Sequence, residues 1–140
     1  MKYDADRVAK LSSEIYNSLD DLVEISEIPK DDFLQKRHII AGAKYYFIVA
    51  IEASIDLSNH LISQNNFPIP ESYADSFKIL KDEGVLSPEL TLKLMDMARF
   101  RNRLVHIYWE VDDEMVYEIL NQDINDIRIF LKAYLEFLNK

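Results

Sequence analysis

The chain contains no cysteine in 140 residues. That absence removes disulfides, thiolate metal sites and a cysteine nucleophile, and it fits a reducing cytoplasm. Glycine is nearly as scarce, with Gly42 and Gly84 alone. No glycine-rich phosphate loop and no Gly-x-Ser-x-Gly turn is therefore present. Proline occurs four times, at Pro29, Pro68, Pro70 and Pro88. So few breakers call for long helices. The N-terminal residues Met1-Lys2-Tyr3-Asp4-Ala5-Asp6 lack the apolar core of a signal peptide. The most apolar run, residues 45–55, is interrupted by Glu52 and is too short to span a bilayer, so no membrane partner is expected. His38 and His60 lie 22 residues apart, and neither has metal-ligand spacing to another histidine. They read as structural or surface residues. No metal and no cofactor is expected, although Glu52 and Asp56, one turn apart, offer a weak acidic pair.

With 49% hydrophobic and 29% charged residues, the composition is that of a soluble globular protein. The length predicts one domain, residues 1–140, with a real core. A formal net charge of −9 argues against a general nucleic-acid coat, because such binding rests on neutralising phosphates. The distribution is more informative. Residues 97–109 hold Arg99, Arg101 and Arg103 and no acid, whereas residues 110–126 hold seven acids and no base. A local basic patch in an acidic body suits a small anionic target held at one place.

Five helical segments are predicted. The first, residues 4–25, carries Val8, Leu11, Ile15, Leu19 and Leu22 at three-to-four spacing and stops before Pro29. The second starts after Asp31 or Asp32 and runs to residue 64, with Ile40, Ala43, Phe47, Ala50, Ser54, Leu57 and Leu61 in one stripe. Tyr45, Ile48, Val49 and Ile55 make its other sides apolar too, which predicts a central helix or one facing both a core and a partner chain. A short third helix follows the loop at residues 65–70, capped by Ser72 and closed by Gly84. Ser87-Pro88 opens a fourth that reaches about residue 105. The cluster Asp112-Asp113-Glu114 opens a fifth that extends to the C-terminus. Short links between long helices imply antiparallel neighbours. The expected fold is all-α: an antiparallel four-helix bundle with an extra short helix.

Chemistry concentrates in one octapeptide, Arg101-Asn102-Arg103-Leu104-Val105-His106-Ile107-Tyr108. Arginine grips phosphate through a planar fork of donors, and histidine moves protons near pH 7. Together they are a minimal kit for cutting a phosphodiester without a metal. Leu90, Leu94, Met97, Ala98, Arg101, Leu104, Val105 and Tyr108 form one stripe, so Arg101 sits within an apolar face. It is either a functional cation or a buried arginine paired with an acid such as Glu52 or Asp56. On a regular helix His106 lies about 140° around from Arg101. By itself it reads as an ordinary last-turn histidine, and Tyr108 as a packing tyrosine. For the two side chains to serve one phosphate, the helix must end near Val105 or two copies must share the site across a two-fold axis.

The octapeptide matches the R-x4-H-x-Y motif of the HepT-like toxins of the HEPN superfamily. The chain resembles that family beyond the motif, in Ile51-Glu52-Ala53-Ser54-Ile55-Asp56-Leu57-Ser58-Asn59-His60, in Pro70-Glu71-Ser72-Tyr73 and in Phe77-Lys78-Ile79-Leu80 through Gly84-Val85-Leu86. The resemblance implies a HEPN-like helical fold and a metal-independent endoribonuclease, the toxin of a toxin–antitoxin pair. It implies Arg101 and His106 as the catalytic pair and Tyr108 as the acceptor of AMP. The donor would be an MntA-like nucleotidyltransferase antitoxin. The resemblance also implies a homodimer. Asn102 and Arg103 are expected to support the site, with RNA as substrate in the cytoplasm. The alternative is a non-catalytic nucleotide- or RNA-binding subunit that docks a nucleotidyltransferase, which the net charge favours.

Overall fold

A computed structural model describes all residues, Met1–Lys140. The chain is all-helical, with α1 (Ala5–Ser26), α2 (Lys30–Leu34), α3 (Arg37–Gln64), α4 (Tyr73–Asp82), α5 (Pro88–His106), a 3-10 turn (Tyr108–Glu110), α6 (Asp113–Gln122) and α7 (Ile124–Leu138). The stripe predicted on the long second segment is buried throughout, from Ile40 to Leu61. Ile51, Ala53, Ile55 and Ile62 on other sides of the same helix are buried as well. Every other helix packs against α3. On length and composition α3 is apolar enough to cross a membrane. Its central place in the bundle accounts for that apolarity.

Local signals fix the helix ends. Asp4 accepts from the Asp6 and Arg7 amides, Ser72 from Asp75, Ser87 from Leu90 and Asp112 from Glu114. Asp75, three residues after the Ser72 cap, returns its carboxylate to accept from the Glu71 N–H at 2.9 Å. At the end of α4, Gly84 adopts φ +83°. The Val85 N–H returns to the Leu80 carbonyl at 2.8 Å and the Gly84 N–H to Lys81 at 3.0 Å. This closure needs the left-handed residue that glycine supplies. Asn66, at φ 56°, does the same after α3, with Phe67 N–H returning to the Ile62 carbonyl.

Two of the five expected helices are broken. The second divides at Lys36, whose backbone leaves the helix at φ −109° and ψ 85°. The initial turn is α2, and its N-cap is Pro29 rather than Asp31 or Asp32. The break lets Phe33 reach full burial beside Tyr117, at 5.1 Å between ring centroids, while the Tyr117 hydroxyl donates to the Ile28 carbonyl at 2.7 Å. The fifth divides at Asp123 into α6 and α7. Both halves touch α1 and α3, but only α6 packs on α2 and only α7 on α5, so the chain turns between them.

The N-terminus is tied to the far end of α3. Asn65 exchanges two hydrogen bonds with the Lys2 backbone at 2.9 Å each, and the Asp4 N–H donates to Nε2 of buried His60 at 2.9 Å. His60 is thus structural, and His38 is exposed, as read from their spacing. Burial holds the His60 imidazole below its ordinary range; Arg7 adds to this and Asp4 opposes it. Only the neutral ring accepts the Asp4 N–H, so the folded chain takes up this proton less readily than the unfolded one. Stability from the contact is complete above the unfolded pKa of about 6.5. It declines as pH falls below that value toward the lower folded one. The urea midpoint should therefore drop more steeply between pH 7 and pH 5 in the wild type than in His60→Gln, which keeps an acceptor without titrating. Equal slopes would mean that His60 plays no such part.

Candidate functional site

Arg101 leaves α5 toward α3. Its Nη2 and Nε donate to one oxygen of Glu52 at 2.6 and 3.0 Å. Nη1 donates to Asn102 Oδ1 at 3.1 Å, and the guanidinium lies 4.9 Å from the Tyr73 ring centroid. The pairing expected of a buried arginine is therefore present, with Glu52 as the partner. Its side chain is only 12% exposed and is paired with Glu52. Three of its five N–H donors are engaged by these bonds, and the remaining two have no protein acceptor. Asp56 borders the same small cavity of about 120 Å³ but makes no bond to Arg101. Desolvation raises its carboxyl above the usual range, and Arg7 opposes that. No group of three His, Asp or Glu side chains capable of holding a metal occurs.

His106 is the last residue of α5 and is exposed. Ile107 departs from the helix at φ −140° and ψ 42°, so α5 ends only after His106 and the histidine keeps its helical position, turned away from Arg101. The imidazole lines a cleft of about 520 Å³ together with Asn102, Asn59, Ser72, Tyr73 and Ser76. Arg101 and His106 thus border adjacent cavities rather than one, and Tyr73 belongs to both. Asn102 connects them, because its oxygen holds Arg101 while its side chain lines the histidine cleft.

Two expectations about this segment are corrected. Tyr108 is not on the α5 stripe and is not a packing residue. The helix has ended, the residue begins the 3-10 turn, and its side chain is 58% exposed beside Trp109, itself 68% exposed. Val105, also placed on that stripe, is 39% exposed. Arg103 points elsewhere, with Nη1 donating to Met115 Sδ at 3.5 Å, and Arg99 pairs with Asp96 at 2.9 Å. The acids that follow face lysines of α2 and α3, in Asp113–Lys44 and Glu114–Lys30.

Sequence reasoning did not single out Tyr73, Asn59 or Ser76. They lie on α3 and α4, far from the motif in the chain, and no local pattern marks them. Folding brings them there because α4 packs against both α3 and α5.

The Glu52 clamp makes a direct prediction. Hydrogen bonds to charged groups contribute about 1.5–3 kcal/mol, less where solvent reaches them. The Arg101 Nε–H should give a resolved NMR signal that exchanges slowly with water. In Glu52→Ala, exchange should speed up roughly tenfold or more. An unchanged rate would show that Glu52 does not orient the guanidinium.

Comparison with known proteins gives a consistent result. The family model described as "Ribonuclease HepT-like" matches residues 15–134. An "mRNA nuclease HepT" of Shewanella oneidensis is 32% identical over 102 residues, covering 73% of this chain and 74% of that protein. A "tRNA nuclease HepT" of Aphanizomenon flos-aquae is 23% identical over 120 residues, covering 86% and 82%. Among solved structures, a tri-AMPylated Shewanella oneidensis HEPN toxin in complex with its MNT antitoxin superposes with a TM-score of 0.85. That match has 23% identity over 93% of this chain and 97% of the other. A likeness at that identity establishes the fold, which is that of a HEPN toxin.

Proposed function

The chain belongs to the Ribonuclease HepT-like family, and we propose that it is a metal-independent endoribonuclease, the toxin of a toxin–antitoxin pair. The observation that carries this reading is the pairing of a clamped arginine with an exposed histidine across Tyr73. His106 takes the proton of the RNA 2′-hydroxyl or delivers one to the departing 5′-oxygen. The 2′-oxygen attacks phosphorus, the bond to the 5′-oxygen breaks, and a 2′,3′-cyclic phosphate remains. Arg101, pre-aimed by Glu52 and Asn102, stabilises charge growing on the phosphoryl oxygens. Asn102 positions the phosphate or His106, and Arg103, turned toward Met115, supports the site only through the longer-range field of its charge. The absence of cysteine suits the cytoplasm, where RNA is found.

A homodimer is part of this reading. The separate cavities of Arg101 and His106 favour a cleft to which two copies contribute. Exposed Leu92 and Tyr45 supply apolar surface for such contact. Arg101→Ala and His106→Ala should each lower RNA cleavage by roughly 10²- to 10⁴-fold and abolish growth inhibition. His38→Ala should change little. Cleavage should persist in chelator. Loss of activity on chelation would reject the mechanism, and normal toxicity of His106→Ala would favour the non-catalytic docking subunit.

Tyr108 is the proposed acceptor of AMP from an MntA-like nucleotidyltransferase. Its hydroxyl-bearing ring is exposed, on a turn just beyond His106. An attached AMP brings a phosphate that competes with RNA for the arginines, and an adenosine that obstructs the cleft. Tyr108→Phe removes only the acceptor oxygen. It should stay toxic, resist the co-expressed antitoxin and show no mass increase in units of one AMP. Full rescue of growth without modification would point to neutralisation by binding alone.

A further inference from the structure

The cleft beside His106 is larger than a phosphate and an imidazole require. Its volume of about 520 Å³ lies within the range of small-ligand pockets, roughly 300–1,000 Å³. Its walls are polar and are oriented from behind. Buried Ser76 donates its hydroxyl to Asn59 Oδ1 at 2.7 Å. Arg101 Nη1 donates to Asn102 Oδ1 at 3.1 Å. In each amide the oxygen is occupied, which leaves the NH2 group as the free donor. Both amides line the cleft.

Tyr73 supplies an apolar platform. It is 43% exposed, carries the Arg101 guanidinium over its ring and also borders the cleft. Unpaired bases are held on such rings and read at their edges by side-chain amides. A duplex would hide those edges, so the arrangement suits a single strand.

We propose that this cleft is a nucleobase pocket. It receives the unpaired base next to the scissile phosphate, stacks it on Tyr73 and reads its ring carbonyl oxygens with the Asn59 and Asn102 NH2 groups. Uracil, cytosine and guanine carry such an oxygen, whereas adenine has none and offers the two donors only ring nitrogens flanking an amino group that cannot accept. The pocket therefore disfavours adenine. This inference rests on the ribonuclease reading of Arg101 and His106 and adds its substrate preference.

The test uses the full chain, confirmed by mass to be unmodified at Tyr108, with nucleoside 3′-monophosphates as probes and a mixed-sequence RNA as substrate. The side-chain amide NMR signals of Asn59 and Asn102 should shift with 3′-UMP at concentrations about fivefold or more below those needed for 3′-AMP. Asn59→Asp keeps the acceptor for Ser76 and removes the two N–H donors. Its added charge slows cleavage in general, so the informative quantity is the ratio of cuts beside uracil to cuts beside adenine, which should approach one. Tyr73→Ala should raise KM roughly 5- to 150-fold, with most of that loss recovered in Tyr73→Phe. Amide signals indifferent to every nucleotide, together with an unaltered cut-site ratio in Asn59→Asp, would overturn the pocket and leave the nuclease intact. Selective shifts in a chain that cuts no RNA would overturn the nuclease and leave the pocket standing. Preference for 3′-AMP would overturn the donor assignment.

Discussion

Helix α3 presents more apolar surface than one neighbour covers. Phe47, Ala50, Leu57 and Leu61 are wholly removed from water, and so, on other sides, are Ile51, Ala53 and Ile55 to within a few per cent. A helix of this kind is stable only when surrounded. The remaining helices supply that cover: α1 along most of its length, α4 and α5 on another flank, α6 and α7 on the rest. Edge-on contact of Phe47 with Phe100, 5.6 Å between centroids, and the bond from the Tyr134 hydroxyl to the Leu57 carbonyl at 2.8 Å tie α5 and α7 to it. The functional residues follow from this enclosure. Glu52 and Asn59 belong to the central helix, and they meet α5 and α4 because those helices must cover it.

The arginine–glutamate contact reconciles two demands. A guanidinium that is mostly buried is costly unless paired, yet an arginine that is fully paired has nothing left for a substrate. Glu52 engages Nε and Nη2 with a single oxygen, and Asn102 takes one hydrogen of Nη1. Two donors stay without a protein acceptor, the guanidinium lies over the Tyr73 ring, and Arg101 borders the smaller cavity. Acids also border this point, with Glu52 and Asp56 in the arginine cavity and Glu71 in the histidine cleft, whereas Asp113 and Glu114 face Lys44 and Lys30.

Much of the helical plan was legible in the chain, because several helix ends are marked by a residue with a local mechanism. Ser72, Ser87 and Asp112 cap as their side chains dictate, and Gly84 closes α4 because it tolerates a positive φ. The breaks at Lys36 and Asp123 have no such mark. Neither position carries glycine or proline. There the gain from burying Phe33 and from turning α7 onto different neighbours overrides local preference. The position of Tyr108 eluded the helical period for a related reason: the stripe continues on paper, but Ile107 leaves the helix.

The sequence alone determined the all-α class, the central character of α3 and the motif residues, since periodicity, capping and side-chain chemistry are local properties. It also suggested acids such as Glu52 or Asp56 as partners for Arg101 if that arginine is buried. Only the tertiary structure chose Glu52, separated Arg101 and His106 by Tyr73, and assembled Asn59, Ser76 and Asn102 around a shared cleft. Those facts depend on how far α4 and α5 are rotated and shifted against α3. Packing of the whole core sets that offset, and no window of the sequence contains it.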